Sequence, residues 1–152
     1  MSPTAHWPLP SLDDLEVLAP LLTNHFAPGD WIALTGPMGA GKTTLTQALC
    51  RAWGTTTAAS SPTFSLLQAY DTPQGLHVLH GDLYRLSENE ILAFLPEVED
   101  AMRVPQTLLL LEWANLDPDW DARWTHHLSL CVTDNNLHEL TWTSRKSVTF
   151  DY

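Results

Sequence analysis

Basic residues are scarce in this chain. Lysine and arginine together number 7 against 18 acidic residues, and the formal net charge is −11. Nucleic acids and anionic membrane surfaces repel a protein of this charge, so the composition argues against a chain that binds either of them unaided. The same charge permits partners that are basic proteins.

Cysteine is also rare, and long apolar runs are missing. Cys50 and Cys131 are the only cysteines, and two cysteines so far apart are typical of buried thiols in a reducing compartment. The first 20 residues contain Asp13, Asp14 and several prolines rather than a basic start and an apolar stretch, so we expect no targeting peptide. Since no apolar run approaches ~20 residues, we expect no membrane span and a cytoplasmic protein.

The length and the hydrophobic content of the chain are sufficient for a folded domain. The 152 residues, 44% of them hydrophobic, predict one domain over residues 1–152. Leucines from position 12 to 22 have the spacing of an amphipathic helix with Ser11 at its start, and we expect a break or kink at Pro20. The stretch WIALT (31–35) predicts a strand that leads into glycines and then into a helix over 43–53.

The second half of the chain alternates strands with turn signals. It predicts an antiparallel hairpin (65–70 and 76–82), a helix (87–95), a strand buried on both faces (106–113) and a second hairpin (126–133 and 137–144). For the tail, the sequence leaves open an additional edge strand or a loose end. No composition shift or linker divides the chain.

The strongest motif is GPMGAGKT, which runs from position 36 to 43 between a predicted strand and a predicted helix. It satisfies the pattern G-x-x-x-x-G-K-T of a phosphate-binding loop, in which backbone N–H groups and a helix N-terminus face the phosphates. In this pattern Lys42 reaches the β- and γ-phosphates, and Thr43 places its hydroxyl on Mg²⁺. The predicted nucleotide-binding residues of the loop are Gly36, Gly39, Ala40, Gly41, Lys42, Thr43 and Thr44.

The motif predicts an α/β P-loop NTPase fold, a central mixed β-sheet flanked by helices, with ATP and Mg²⁺ as ligands. A GTPase would carry an Asn-Lys-x-Asp guanine reader. The chain has only two lysines, Lys42 and Lys146, and neither lies in such a pattern. Adenine is therefore the favoured base.

Two acids at strand ends compete for the metal. Glu112 ends the apolar run LLLLE, whose burial would aim it at the nucleotide crevice, and we predict that it holds Mg²⁺ through water. Asp82 ends LHVLHGD, and its role stays open between binding metal waters, positioning the attacking water and capping the next segment. Trp113 follows Glu112 and fits equally well a core tryptophan and an aromatic plate against adenine.

A short loop, SSPTF (60–64), offers a candidate γ-phosphate sensor. Pro62 restricts its own backbone and that of Ser61, which presents Thr63 in a limited range of directions. We predict that Thr63 belongs to a switch loop that orders around the γ-phosphate and Mg²⁺. The alternative is a Ser/Thr turn that only caps the following strand.

Four motifs in this order, GPMGAGKTT, SSPTF, HGDLYRL and LEW, are similar to those of the TsaE (formerly YjeE) family, the bacterial ATPase subunit of tRNA threonylcarbamoyladenosine biosynthesis. The resemblance extends from about Pro28 to Asn115. It implies a role in making N6-threonylcarbamoyladenosine at position 37 of tRNA, with ATP hydrolysis that drives turnover of a transferase complex. The implied partners are the transferase subunit and its pseudo-enzyme partner, without tight tRNA binding by this chain alone.

By the same resemblance, Asp82, Glu112 and Thr63 would serve catalysis, and Thr43 and Glu112 the metal. Trp113 would contact the nucleotide. Two other functions share the phosphate loop: a small-molecule kinase, which usually clamps phosphates with several arginines, and a nucleotide-gated adaptor without turnover. The chain has five arginines, of which only Arg85 lies in a motif.

Overall fold

The computed structural model describes residues 4–37, 40–55, 67–113 and 117–146. Its strands are β1 (Thr4–Leu9), β2 (Trp31–Thr35), β3 (Leu67–Asp71), β4 (His77–Asp82), β5 (Thr107–Glu112), β6 (His126–Val132) and β7 (His138–Ser144). Its helices are α1 (Leu15–Thr23), α2 (Lys42–Trp53), α3 (Glu88–Met102) and α4 (Pro118–Asp121). Within the described residues, no helix combines the length and the apolar character needed to cross a bilayer.

The seven strands form one mixed sheet in the order β1-β7-β6-β2-β5-β4-β3. The inner strands β6, β2, β5 and β4 are mutually parallel, and β3, β7 and β1 pair antiparallel at the two sides. This arrangement confirms the predicted α/β fold with a central mixed sheet flanked by helices. It also confirms both predicted hairpins, β3–β4 and β6–β7.

Apolar side chains cover both faces of the sheet. One face carries Ile32, Leu34, Leu108 and Leu110 and packs against α1 and α2. The other face carries Ala33, Leu109 and Leu111 and packs against α3 and Trp120 of α4. Because β5 is buried on both faces, its run of four leucines is apolar at every position rather than alternating, as predicted.

Of the break or kink predicted at Pro20, the break is wrong, because α1 continues through Pro20 to Thr23. The proline removes one N–H from the helix, and the carbonyl that loses its partner belongs to Glu16. Both Pro20 and Glu16 are exposed, so water can solvate that carbonyl. Ser11 does mark the start, where it forms a capping box with Asp14 over a 3₁₀ turn that precedes α1.

Two elements were not predicted from the sequence. The N-terminal strand β1 pairs with β7 along its whole length, from Thr4 with Thr143 to Leu9 with His138. The short helix α4 begins at Pro118, where Asp117 caps it. Helix α3 is also longer than predicted and continues through Pro96 to Met102. Most of the tail, residues 147–152, lies outside the described part of the chain.

Candidate functional site

The carboxyl ends of the parallel strands meet at one edge of the sheet. Strand β2 ends at Thr35, directly before the glycine-rich loop, while β4 and β5 end at Asp82 and Glu112. The strand register pairs these two acids with each other. In open α/β sheets, ligands bind in the crevice outside this edge. Residues predicted from three separate parts of the sequence therefore adjoin one crevice.

Asp82 and Glu112 project from the face of the sheet that α1 and α2 cover. Side chains alternate along a strand, and Val78 and Leu110 belong to the core on that face. Two or four residues further along the same strands, Glu112 and Asp82 continue these rows. Since α2 begins at Lys42, the acids and the start of this helix share one side of the sheet.

Glycine is required at both ends of the loop between β2 and α2. Gly36 has φ +151, and a Cβ atom there would lie 2.5 Å from the carbonyl oxygen of Leu130 on β6. Gly41 has φ +107 at the N-cap of α2, and its Cβ would lie 2.8 Å from a methyl carbon of Leu12. The backbone can take this course only without side chains at these two positions.

The remaining predicted loop residues surround the start of α2. Ala40 is fully buried, and its carbonyl oxygen lies 3.2 Å from Nδ1 of His138 on β7. Thr43 is exposed and Thr44 is half-buried in the first turn of α2. Gly39 lies outside the described residues, and so does Thr63.

Lys42 is buried, with 9% of its surface exposed. Its Nζ donates hydrogen bonds to the carbonyl oxygens of Gly36 and, at 3.3 Å, of Pro37. It also lies 4.4 Å from the centre of the Trp113 ring, within the range of a cation–π contact. The charge of this lysine is therefore held inside the loop and beside the end of β5.

Trp113 follows Glu112 with φ +65, so the chain turns sharply where β5 ends. Its amide still donates to Leu34 of β2 at 3.1 Å. The half-buried ring packs against the core beneath α3 and lies 5.3 Å from the ring of Tyr84. These contacts fit the interpretation of Trp113 as a core residue, and its contact with Lys42 also brings it to the glycine-rich loop.

Asp82 has a defined local role. Its Oδ1 accepts a hydrogen bond from the amide of Tyr84 at 2.9 Å and caps the 3₁₀ turn Leu83–Arg85. Capping the next segment was one of the three roles left open for this residue. The bond engages Oδ1 and leaves Oδ2 for a further ligand.

Glu112 pairs with a histidine that was not among the predicted site residues. Nε2 of His80, on β4, lies 2.9 Å from Oε2 of Glu112. The side chains are 18% and 13% exposed, so both are largely shielded from solvent. The signal in the sequence was the motif HGDLYRL, in which His80 precedes Asp82 by two residues and therefore shares its face of the strand.

The family model described as "Threonylcarbamoyl adenosine biosynthesis protein TsaE" matches residues 9–142. The chain belongs to the TsaE family. This confirms the resemblance seen in the four sequence motifs.

Individual relatives support the assignment to the TsaE family. The tRNA threonylcarbamoyladenosine biosynthesis protein TsaE of Rickettsia prowazekii is 33% identical over 129 residues, 84% of this chain and 87% of the relative. The protein of the same name from Aquifex aeolicus is 33% identical over 74% of this chain and 79% of its own length. The crystal structure of Bacillus subtilis YdiB superposes with a TM-score of 0.70 at 22% identity, covering 96% of this chain and 88% of that one, and so shows the shared fold.

The donor set of this TsaE-family site suits a magnesium ion that keeps most of its waters. Among the described residues, no three His, Cys, Asp or Glu side chains come close enough together to enclose a metal ion. Mg²⁺ is usually bound by one or two protein oxygens together with phosphate oxygens and water, rather than by an all-protein cage. The paired strand-end acids and the hydroxyl of Thr43 supply donors of that kind.

Proposed function

We propose that this TsaE-family chain binds ATP and Mg²⁺ at the carboxyl edge of its sheet and hydrolyses ATP slowly. One observation carries the proposal. A buried lysine, a loop that requires glycine at both ends and two acids paired across neighbouring strands lie at the same edge of the sheet. Each feature serves a different part of a nucleotide: the loop and Lys42 its phosphates, and the acids its metal.

The proposed roles follow from the chemistry of each group. The loop from Gly36 to Thr44, including Gly39 and Ala40, would cradle the phosphates with its backbone N–H groups. Lys42 would exchange the carbonyl oxygens that its Nζ now contacts for phosphate oxygens. When bound, Mg²⁺ would neutralise charge that develops on the phosphates.

The acids and the remaining residues would act around the metal and the γ-phosphate. Thr43 would give the metal its hydroxyl, and Glu112 would hold metal waters. Asp82 would act on the attacking water through the oxygen that does not cap the 3₁₀ turn. Thr63 would sense the γ-phosphate, and Trp113 would contact the nucleotide from beside Lys42.

We further propose that this ATPase supports formation of threonylcarbamoyladenosine at position 37 of tRNA. The support is the family assignment and the names of the relatives. The chain would dock on a transferase subunit with a pseudo-enzyme partner, and ATP hydrolysis would drive turnover of that complex. A reducing, cytoplasmic setting suits both a tRNA substrate and two unpaired cysteines, of which Cys50 is half-buried and Cys131 is exposed rather than buried as the sequence predicted.

The arginines of the chain do not favour the alternative of a small-molecule kinase. Four of the five have described side chains, and each engages a group outside the crevice. Arg51 pairs with Glu16 of α1, whereas Arg103 and Arg123 pair with Asp100 and Glu99 of α3. Arg145 stacks on Trp124 at 3.6 Å. None of these four is placed to clamp a phosphate.

The test of the proposed site compares the two lysines of the chain. Lys42→Ala should weaken ATP binding by roughly 100-fold, because a charged hydrogen-bonding group to phosphate contributes about 2–3 kcal/mol. Lys146→Ala is the matched control, because its Nζ contacts Asp30 at the opposite end of β2. Calorimetric titration with ATP, and phosphate release with and without the transferase subunits, provide the readouts.

Two outcomes would count against the proposal. Near-normal ATP binding by a folded Lys42→Ala protein would remove the site assignment. Fast hydrolysis by the chain alone, unchanged when the transferase subunits are added, would remove the proposed dependence on the complex.

A further inference from the structure

The contact between His80 and Glu112 links two of the parallel strands at the crevice. In the register of β4 and β5, Leu110 lies opposite His80 and Glu112 lies opposite Asp82. The imidazole therefore reaches diagonally towards the carboxyl end of the sheet to meet the Glu112 carboxylate at 2.9 Å. His80, Asp82 and Glu112 therefore all lie on the same face of the sheet.

The direction of this hydrogen bond follows from its chemistry. An ionised carboxylate can only accept, so Nε2 of His80 is the donor and Oε2 of Glu112 the acceptor. The bond leaves Oε1 for a further ligand. Because both side chains are largely shielded, water competes weakly for the bond, and it can restrict the rotamer of Glu112.

A second histidine–carboxylate pair on the same strand provides a comparison for the pair of His80 and Glu112. Nδ1 of His77 lies 2.7 Å from Oδ1 of Asp71, but these side chains are 45% and 58% exposed. His77 opens β4 and so lies at the opposite edge of the sheet from Asp82. The two pairs share their chemistry and differ in burial and in their distance from the crevice.

We propose that His80 is a positioning residue that holds the Glu112 carboxylate in the orientation needed to bind the waters of the nucleotide's Mg²⁺. The proposal rests on the proposed function, which gives Glu112 that task. Groups that orient a metal-binding side chain typically change metal affinity or activity by about 10- to 100-fold when they are removed. His80 would act through Glu112 and would not itself touch the metal or the nucleotide.

Three variants test the proposal in the full chain. His80→Phe keeps an aromatic ring of similar size but has no donor, whereas His80→Gln can place an amide N–H near the position of Nε2. His77→Phe is the matched control on the same strand. Denaturant unfolding of each variant establishes that it is folded before its binding is compared with that of the wild type.

The binding measurement uses a non-hydrolysable ATP analogue in calorimetric titrations at increasing free Mg²⁺. In metal-free buffer, all proteins should bind the analogue equally. The concentration of Mg²⁺ that gives half of the maximal gain in affinity should rise about tenfold in His80→Phe and return towards the wild-type value in His80→Gln. His77→Phe should match the wild type. Steady-state hydrolysis should show the same order in its Mg²⁺ requirement.

The measurements distinguish a failure of the role of His80 from a failure of the proposed function. An unchanged Mg²⁺ requirement in a folded His80→Phe protein, with normal binding by the wild type, would overturn the role of His80 alone. A folded His80→Gln protein as impaired as His80→Phe would show that the hydrogen bond is not the cause. A wild-type chain whose analogue binding does not respond to Mg²⁺ would overturn the proposed function itself.

Discussion

At the scale of single residues, the two lysines of the chain mark opposite ends of β2. Lys42 follows the strand and places its Nζ inside the glycine-rich loop, whereas Nζ of Lys146 lies 2.9 Å from Oδ1 of Asp30, the residue before the strand. Asp30 is almost fully buried. Its Oδ2 accepts from the amide of Ala27 at 2.8 Å and lies 3.3 Å from Nε2 of the buried His126.

These contacts change the pKa of Asp30. Burial alone would raise its pKa, but the adjacent imidazole of His126 and the hydrogen bonds from Lys146 and the Ala27 amide outweigh burial and lower the pKa to about 2. A carboxyl group with a lowered pKa in the folded state stabilises the protein above its unfolded pKa of about 3.8. That contribution is lost as the pH falls from about 4 towards 2.

We predict that Asp30→Asn removes part of this acid sensitivity. Between pH 5 and pH 2 (about the range set by the two pKa values), the wild type should lose about 2 kcal/mol more unfolding free energy than the variant does. Urea unfolding at a series of pH values measures the difference. The exposed Asp134→Asn serves as a control, and parallel acid profiles for the wild type and Asp30→Asn would contradict the prediction.

The residues that could be predicted from the sequence are those that lie in local motifs. Lys42 and Thr43 follow a fixed pattern of glycines, and Glu112 follows a run of leucines, so a short window of sequence was enough. The pairings of His80 with Glu112 and of Asp30 with Lys146 could not be found in this way, because the two partners of each pair are distant in the chain. Only the register of the sheet brings these side chains together.

At the scale of elements, the glycine-rich loop is contacted by two other segments on the face of the sheet that α1 and α2 cover. Leu12, in the turn before α1, contacts Gly41 at the start of α2, and His138 of β7 reaches the carbonyl of Ala40. The ion pair between Glu16 and Arg51 joins the same two helices. The geometry of the loop therefore depends on segments that lie far from it in the sequence.

We predict that Gly41→Ala destabilises the protein and weakens ATP binding. The backbone at φ +107 is unfavourable for a residue with a Cβ atom, by about 1–2 kcal/mol, and the new methyl group would also press on Leu12. Gly75→Ala is the matched control, because Gly75 has φ +84 and no heavy atom within 4 Å of the added carbon. Urea unfolding and ATP titration compare the two.

The comparison separates backbone strain from the contact with Leu12. If strain were the whole effect, both alanine variants would lose the same stability. We expect the larger loss in Gly41→Ala, and a loss of ATP affinity only there. Equal losses of stability with unchanged ATP affinity in both variants would contradict the role given to the Leu12 contact.

The central strands β2 and β5 were more predictable than the edge strand β1. β2 and β5 are short, apolar and bounded by turn signals, so their sequence alone indicates buried strands. β1 contains Pro8 and has no such pattern, because an edge strand is defined by its pairing and can accommodate a proline. Its partner β7 lies at the other end of the described chain, which no local window of sequence can reveal.

At the scale of the whole molecule, the net charge of −11 dominates interactions at a distance. We predict that the chain alone binds tRNA poorly at physiological salt, because it offers few cations to replace the counterions of the phosphates. A mobility-shift titration with tRNA measures this, first with the chain alone and then with the transferase subunits. Tight binding by the chain alone would contradict the prediction.

The pairing of β1 with β7 has a consequence for how the protein is made. On the ribosome, the residues of β1 are synthesised before the other described strands. Thr4 can nevertheless pair with Thr143 only after β7 has been synthesised. Contacts between such distant residues slow folding, and an unpaired strand is exposed to other chains in the meantime. This side of the sheet is thus completed only after β7 has been synthesised, and Leu12, which contacts the glycine-rich loop, lies just beyond the strand that pairs last.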